Sequence, residues 1–234
     1  MSDNKHSKSP LHVSPESVPT VSKSARTRAA ILNAALDFLW SHPFREMTIA
    51  ALMAETDVGR SAFYVHFKDL QEVMETLLEM LQGEIFGVAE PWLEGESDDP
   101  AAVLHESLTG LVRVCYERGP FLRAITDAAT TDERLEKVWM QFLEGFDKAG
   151  VARIEADQAR GLIADFDAQP VAFALNRLNT YTVLQAFGQH PRQDPEPVAR
   201  ALTRIWISTL YGADCLNEKS MNEDKDPMNE GEAK

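Results

Sequence analysis

Apolar residues in this chain recur every third or fourth position, and nowhere do they alternate with polar ones over a useful length. A chain patterned in this way has amphipathic helices to pack and no strand from which to start a sheet. No internal repeat and no sustained heptad accompanies the period, so the helices are expected to close on one another in a globule. The 234 residues suffice for one large domain or for a small one fused to a larger one.

Glycine, proline and capping residues cut the pattern into about nine helices, so the expected fold class is all-α. Residues 1–22, rich in Ser, Pro and charge, read as a disordered arm, and residues 217–234 as a disordered acidic tail. The first helix begins near Ser24, carries Leu32, Ala35, Leu36 and Leu39 on one stripe, and ends at His42-Pro43. Thr48 caps a short second helix that buries Leu52 and Met53. Thr56-Asp57-Val58-Gly59 is a break, and a third short helix runs from Arg60 to about Phe67. Asp69 and Glu72 form a capping box for a fourth. Five more helices are expected to start near Ala101, Phe121, Asp132, Val171 and Glu196, with Pro91 and Gly119-Pro120 among the breaks. The last two are apolar on more than one face, as in helices that lie centrally or meet a partner chain.

The net charge of −14 is unevenly spread. Residues 1–70 hold eight Lys/Arg against seven Asp/Glu, and the rest of the chain fifteen against thirty. Phosphate would be repelled by the acidic part, so contact with nucleic acid can come only from the first seventy residues. They contain TDVGRSAFYVHFKDLQEV, residues 56–73. Phe63 and Phe67 share one helix face that must be buried, which turns Arg60, Ser61, Ala62, Tyr64, Val65 and His66 elsewhere. Two short helices behind a longer one match the helix-turn-helix plan, in which the third helix enters the major groove. There Arg60 suits guanine, Ser61 bonds either partner type, and Ala62 fits a thymine methyl. Tyr64, His66 and Lys68 suit phosphates, as does Thr48 at the start of the second helix. Lys23, Arg26 and Arg28 add a basic cluster. An αα-hairpin without a ligand fits the helix lengths equally well; the residue types favour DNA.

The stretch TIAALMAETDVGRSAFYVHFKDLQEVMETLL, residues 48–78, with the helix before it, resembles the TetR family of bacterial transcriptional regulators. The F-Y-x-H-F core, Phe63 to Phe67, is a mark of that family's recognition helix. The Trp139/Phe142/Phe146 stripe, the LNRLN run from Leu175 and RIWISTLYG from Arg204 are similar to its EthR-like subgroup. The resemblance implies a DNA-binding domain over 23–68 and a helical ligand-binding and dimerisation domain over 69–216. It sets Thr48, Arg60, Ser61, Ala62, Tyr64, His66 and Lys68 on DNA-contacting positions. It also implies a pocket for a small hydrophobic effector around Leu104, Trp139, Phe142, Phe146, Phe173, Asn176, Asn179 and Trp206. A homodimer would form through the helices starting near Val171 and Glu196, with Trp206, Leu210 or Tyr211 close to its axis. The implied activity is that of a ligand-responsive regulator, a repressor, on a palindromic double-stranded DNA operator. The family often has Ser or Thr where Gly59 stands, so the third helix lacks a side-chain cap oxygen.

Catalysis finds little support. GRSAF, Gly59 to Phe63, begins like a nucleophile elbow but has Phe63 for the second glycine and no preceding strand. The histidines show no metal-ligand spacing and no Gly-rich phosphate loop occurs, so no metal or cofactor is expected. No apolar run is long enough to cross a bilayer and the N-terminus has no apolar leader core, so the expected location is the cytoplasm. There Cys115 and Cys215 are expected as free thiols. The competing reading is a helical protein-binding adaptor with a degenerate helix-turn-helix, which would show no sequence-preferring DNA binding at any salt.

Overall fold

The computed structural model describes residues 22–212. The expected arm up to residue 21, the acidic tail and Cys215 lie outside the described residues. The described residues form eight α-helices and one 3-10 turn, Phe44–Glu46, with no strand. They are α1 (Lys23–Leu39), α2 (Ile49–Ala54), α3 (Arg60–His66), α4 (Leu70–Leu93), α5 (Pro100–Ala129), α6 (Glu133–Ala159), α7 (Ala168–Phe187) and α8 (Pro195–Leu210).

The helix starts follow from local chemistry. Ser22, assigned above to the arm, caps α1 through a bond to the Ala25 N–H. Thr48 caps α2, and Asp69, Asp99, Asp132, Asp167 and Asp194 cap α4 to α8, each accepting an N–H from the first turn. Prolines 100, 170 and 195 fall in first turns, where a missing N–H costs nothing.

The helix count is lower than expected because Gly119-Pro120 is not a break. The helices expected from Ala101 and from Phe121 are one, α5, thirty residues long. Pro120 leaves the Tyr116 carbonyl without its helical donor. Arg192, in the α7–α8 connection, supplies one: its Nη1 donates to the Tyr116 carbonyl at 2.6 Å. The same guanidinium lies 4.0 Å from the Tyr116 ring centroid and 4.6 Å from that of Trp40, at the end of α1. Gly119 serves close approach, since a Cβ there would overlap the Phe187 carbonyl of α7. Pro91 likewise sits inside α4, two residues before its end.

One apolar core runs from Ile31, Leu32 and Phe63 through Val73, Leu77 and Leu81 of α4 to Ile125 and Phe187. A second gathers Trp92, Leu104, Ile154 and Trp206 at the far end. α4 contributes to both, so this helix, about 36 Å long at 1.5 Å per residue, joins the two ends of the molecule.

Arg192→Ala removes the donor to Tyr116 and should lower the unfolding free energy by about 1–2 kcal/mol. In a Pro120→Ala background the residue-120 N–H can serve that carbonyl, so the same substitution should cost less. Urea midpoints of the four proteins in the cycle check this; equal costs in both backgrounds would refute the account of α5.

Candidate nucleic-acid interface

A seven-residue helix does not persist alone, so α3 depends on what holds it. Phe63 and Phe67 do most of this, both essentially sealed from solvent in the core with α1 and α4. The turn before α3 is held by Thr56, whose hydroxyl faces the Met53 and Val58 carbonyls at 2.9 and 3.3 Å. Gly59 is the cap of α3 and, as expected, provides no side-chain bond. Behind α3, Asp69 accepts the Glu72 N–H at 2.8 Å. The Glu72 carboxylate reaches back to the Lys68 N–H at 2.7 Å, one residue beyond the Asp69 N–H that a capping box normally uses.

The start of α4 is also gripped by the start of α6. Arg134 donates to Asp69 at 2.9 Å and to both oxygens of Glu75 at 2.6 and 2.7 Å. Gln71 donates to Asp132 at 2.9 Å, and this bond, with backbone donors and Arg134, holds the Asp132 carboxyl below its ordinary range. Because the folded value is depressed, that contribution is present at neutral pH and is lost as pH falls through it. The ring of contacts fixes α3 relative to the body from two sides.

With Phe63 inward, Arg60, Ser61, Tyr64 and Lys68 face solvent, while Ala62 and His66 are half-buried on the flanks. Tyr64 is 57% exposed, and Val65, turned off the buried face as expected but assigned no DNA contact from the sequence, is 77% exposed. Thr48 is exposed, and its oxygen accepts the Ala51 N–H at 3.1 Å, which leaves the hydroxyl hydrogen free to donate outward. Lys23 and Arg26 are exposed. Arg28 is not one of them: its guanidinium donates to Thr76 of α4 at 3.2 Å and covers the Phe67 ring at 5.0 Å. It braces the head instead of extending the basic cluster.

The body contains two small apolar chambers in line, of about 60 and 50 Å³. Trp139 and Phe142 border the first, Leu104 and Trp206 the second, and Phe146, Asn176 and Asn179 border both. Seven of the eight expected pocket residues therefore converge. Phe173 does not: it is 51% exposed on the outside of α7, 4.3 Å beneath the Arg177 guanidinium. The sequence reading missed Ile85 of α4 and Leu111 and Cys115 of α5, which look like ordinary core in the sequence. Burial pushes the Cys115 thiol up to about 12, so it stays a neutral wall group. A larger cleft of about 650 Å³ lies between the end of α1 and α5, but it is edged by Arg45, Arg123, Asp127 and Asp132. Their mainly apolar, aromatic walls make the smaller chambers the better match to an apolar ligand.

Trp206 and Leu210, expected near a two-fold axis, are buried within the chain. Trp206 donates to Asn179 at 2.9 Å, and Tyr211 donates to Asp157 at 2.7 Å while accepting from Trp92 at 2.9 Å. Burial pushes the Tyr211 phenol up to about 12, so it remains a donor at neutral pH. The apolar groups that α7 and α8 do leave exposed are Phe173, Tyr181 and Ile205. The amphipathic spacing was legible; which face of a two-sided helix turns inward was not. Among the described residues no helix is long and apolar enough to cross a membrane, and no group of three side chains could hold a metal ion.

A short helix-turn-helix head whose third helix faces solvent, carried on a larger helical body, defines a DNA-binding regulator. Residues 31–77 match the model of bacterial regulatory proteins of the tetR family, and residues 104–212 that of the C-terminal domain of the transcriptional regulator EthR. The HTH-type transcriptional regulator EthR of Mycolicibacterium smegmatis is 26% identical over 186 residues, covering 79% of this chain and 86% of that protein. Its Mycobacterium tuberculosis counterpart is 27% identical over 191 residues, covering 78% and 86%. The solved structure of Salmonella enterica GusR shares the fold, with a TM-score of 0.65 at 20% identity over 81% of this chain and 98% of that one. The chain belongs to the TetR family of transcriptional regulators, with an EthR-type C-terminal domain, and is not an enzyme.

Arg28→Ala should lower the stability of the protein by about 1 kcal/mol, since it removes both a hydrogen bond and a cation–π contact. Arg26→Ala, on the exposed side of the same helix, should leave stability unchanged. Thermal unfolding of the two variants separates a brace from a surface charge.

Proposed function

We propose that this regulator is a homodimeric repressor that binds a palindromic double-stranded DNA operator and is released by a small, uncharged, hydrophobic effector in the cytoplasm. The observation that carries the reading is the division of α3. Its two phenylalanine anchors are sealed while Arg60, Ser61, Tyr64 and Val65 project from the opposite side. Arg60 and Ser61 lie at the N-terminal end, the end that meets base edges, with Ala62 and Val65 offering methyl groups to thymine. Tyr64, His66, Lys68 and the Thr48 hydroxyl contact phosphates, and Lys23 and Arg26 follow the backbone nearby. Residues 23–68 act as the DNA-binding domain and those from 69 onward as the effector and dimer domain.

The exposed Phe173, Tyr181 and Ile205 support association through α7 and α8. A two-fold pair built there carries two copies of α3, which read half-sites about one helical turn or more apart. The aromatic chambers support an effector site. They are well below the roughly 300 Å³ of a typical ligand pocket, so binding has to push their walls apart. Ile85 and Trp92 of α4 are among those walls, and the other end of α4 carries the bonds that seat α3. An effector that favours the widened form therefore shifts the spacing of the two reading helices, by a coupling of about 1–3 kcal/mol.

Arg60→Ala should relax preference at one or two base pairs, costing about 1–3 kcal/mol at the preferred base. Tyr64→Ala should weaken binding to all sequences alike. Operator affinity should also fall steeply as salt rises, through counterion release. Fluorescence-anisotropy titrations against a selected operator and its single-base variants measure all three. Unchanged affinity in both variants would remove α3 from the interface, and absence of sequence-preferring binding at any salt would favour an adaptor.

A further inference from the structure

The sequence points to Asn176 and Asn179 as the polar groups that orient an effector, and each already has one of its two amide atoms bonded within the fold. Asn176 donates to Asp147 at 3.0 Å. Asn179 accepts from Trp206 at 2.9 Å. Arg177, the charged group beside the first chamber, gives both terminal nitrogens to Asp147, at 3.1 and 2.8 Å. What remains is Ser107, on α5. It is 4% exposed and lines the second chamber, yet its hydroxyl is a fully buried polar atom with no partner within hydrogen-bonding reach.

A buried hydroxyl without a partner costs free energy, and the missing acceptor for its proton is the larger part of that cost. Its surroundings do not compensate. Trp92, Leu104, Leu108 and Phe146 enclose the chamber with carbon. One turn along α5 from Ser107 stands Leu111, which borders both chambers, and one turn further Cys115, which borders the first. Ser107, Leu111 and Cys115 thus form a single stripe with a hydroxyl at one end, a neutral thiol at the other and hydrocarbon between. Phe146, packed on Phe86 and Phe142, borders both chambers, as do Ile85 and Leu111.

We propose that Ser107 is the polar anchor of the effector site and donates its hydroxyl hydrogen to an uncharged oxygen carried within an otherwise hydrocarbon ligand, such as an ether, ester or ketone. This rests on the reading of the chambers as the effector site. The absence of an unpaired cation among the described lining residues disfavours a carboxylate, and the single orphan hydroxyl favours one oxygen over several.

The test compares two probes that differ by one group, di-n-propyl ether and n-heptane, in wild-type protein, Ser107→Ala and Ser208→Ala, an exposed serine of α8 away from both chambers, by quenching of tryptophan fluorescence. The preference for ether over heptane should fall about five- to tenfold in Ser107→Ala and stay at the wild-type value in Ser208→Ala. Unliganded Ser107→Ala should melt no lower than wild type, because an unpaired hydroxyl has been removed. A preference that survives in Ser107→Ala, or a lower melting temperature in that variant, overturns the anchor and leaves the chambers as the effector site. If neither probe binds wild-type protein, the effector reading of the chambers fails and the anchor fails with it.

Discussion

Everything at the DNA-facing end follows from the burial of one ring. α3 has seven residues and no side-chain cap, so its own hydrogen bonds cannot keep it folded. Phe63, with no exposed surface, pins it to the core shared by α1, α2 and α4. Once that ring is fixed, the 100° step between residues leaves no choice about the remainder. Arg60, Ser61, Tyr64 and Val65 must face water, or whatever replaces water. The reading face is thus set by an apolar contact on the opposite side of the helix, and its polar groups contribute nothing to holding it there.

The head is not free to swing on α4 alone. Arg134 and Asp132 at the start of α6 hold Asp69, Gln71 and Glu75. On the other side, Arg192 from the α7–α8 connection rests on Trp40 at the end of α1. Surface ion pairs such as those of Arg134 are individually weak in water, but these attach to both ends of the helix-turn-helix at once. The body therefore touches the head at more than one place. The acidic body also fits this arrangement, since the groups that would repel phosphate are kept behind the one end that does not.

Much of this was legible in the residues because much of it is local. Caps at Thr48 and Asp69, the Phe63/Phe67 pair and the break at 56–59 all act over four residues or fewer, and each stands where the sequence indicates. What failed to show were effects that depend on distant chain. Gly119-Pro120 reads as a helix end, and only Arg192 and the Phe187 carbonyl make it the middle of one. Arg28 reads as a surface charge until Thr76 and Phe67 are placed beside it. Phe173 lies on α7, whose sequence is apolar on more than one side, so its spacing cannot tell a cavity wall from an outer face; α8, expected to be apolar on more than one face, instead buries one stripe through Val198, Leu202, Trp206 and Leu210. The asparagines of α7 line the chambers, but their bonds to Asp147 and Trp206 come from other helices, and Ser107, unremarkable in the sequence, is the buried hydroxyl left without a partner among the described residues.

The most direct measurement of the central claim is site-specific photocrosslinking of the regulator to its selected operator. One probe replaces Val65 on α3 and another replaces Met140, equally exposed in kind but on α6 of the acidic body. The probe at 65 should crosslink to bases in the major groove of each half-site, and the probe at 140 to no DNA at all. Crosslinks from 140 with none from 65 would contradict the account, because the duplex would then lie against the body and α3 would face away from it.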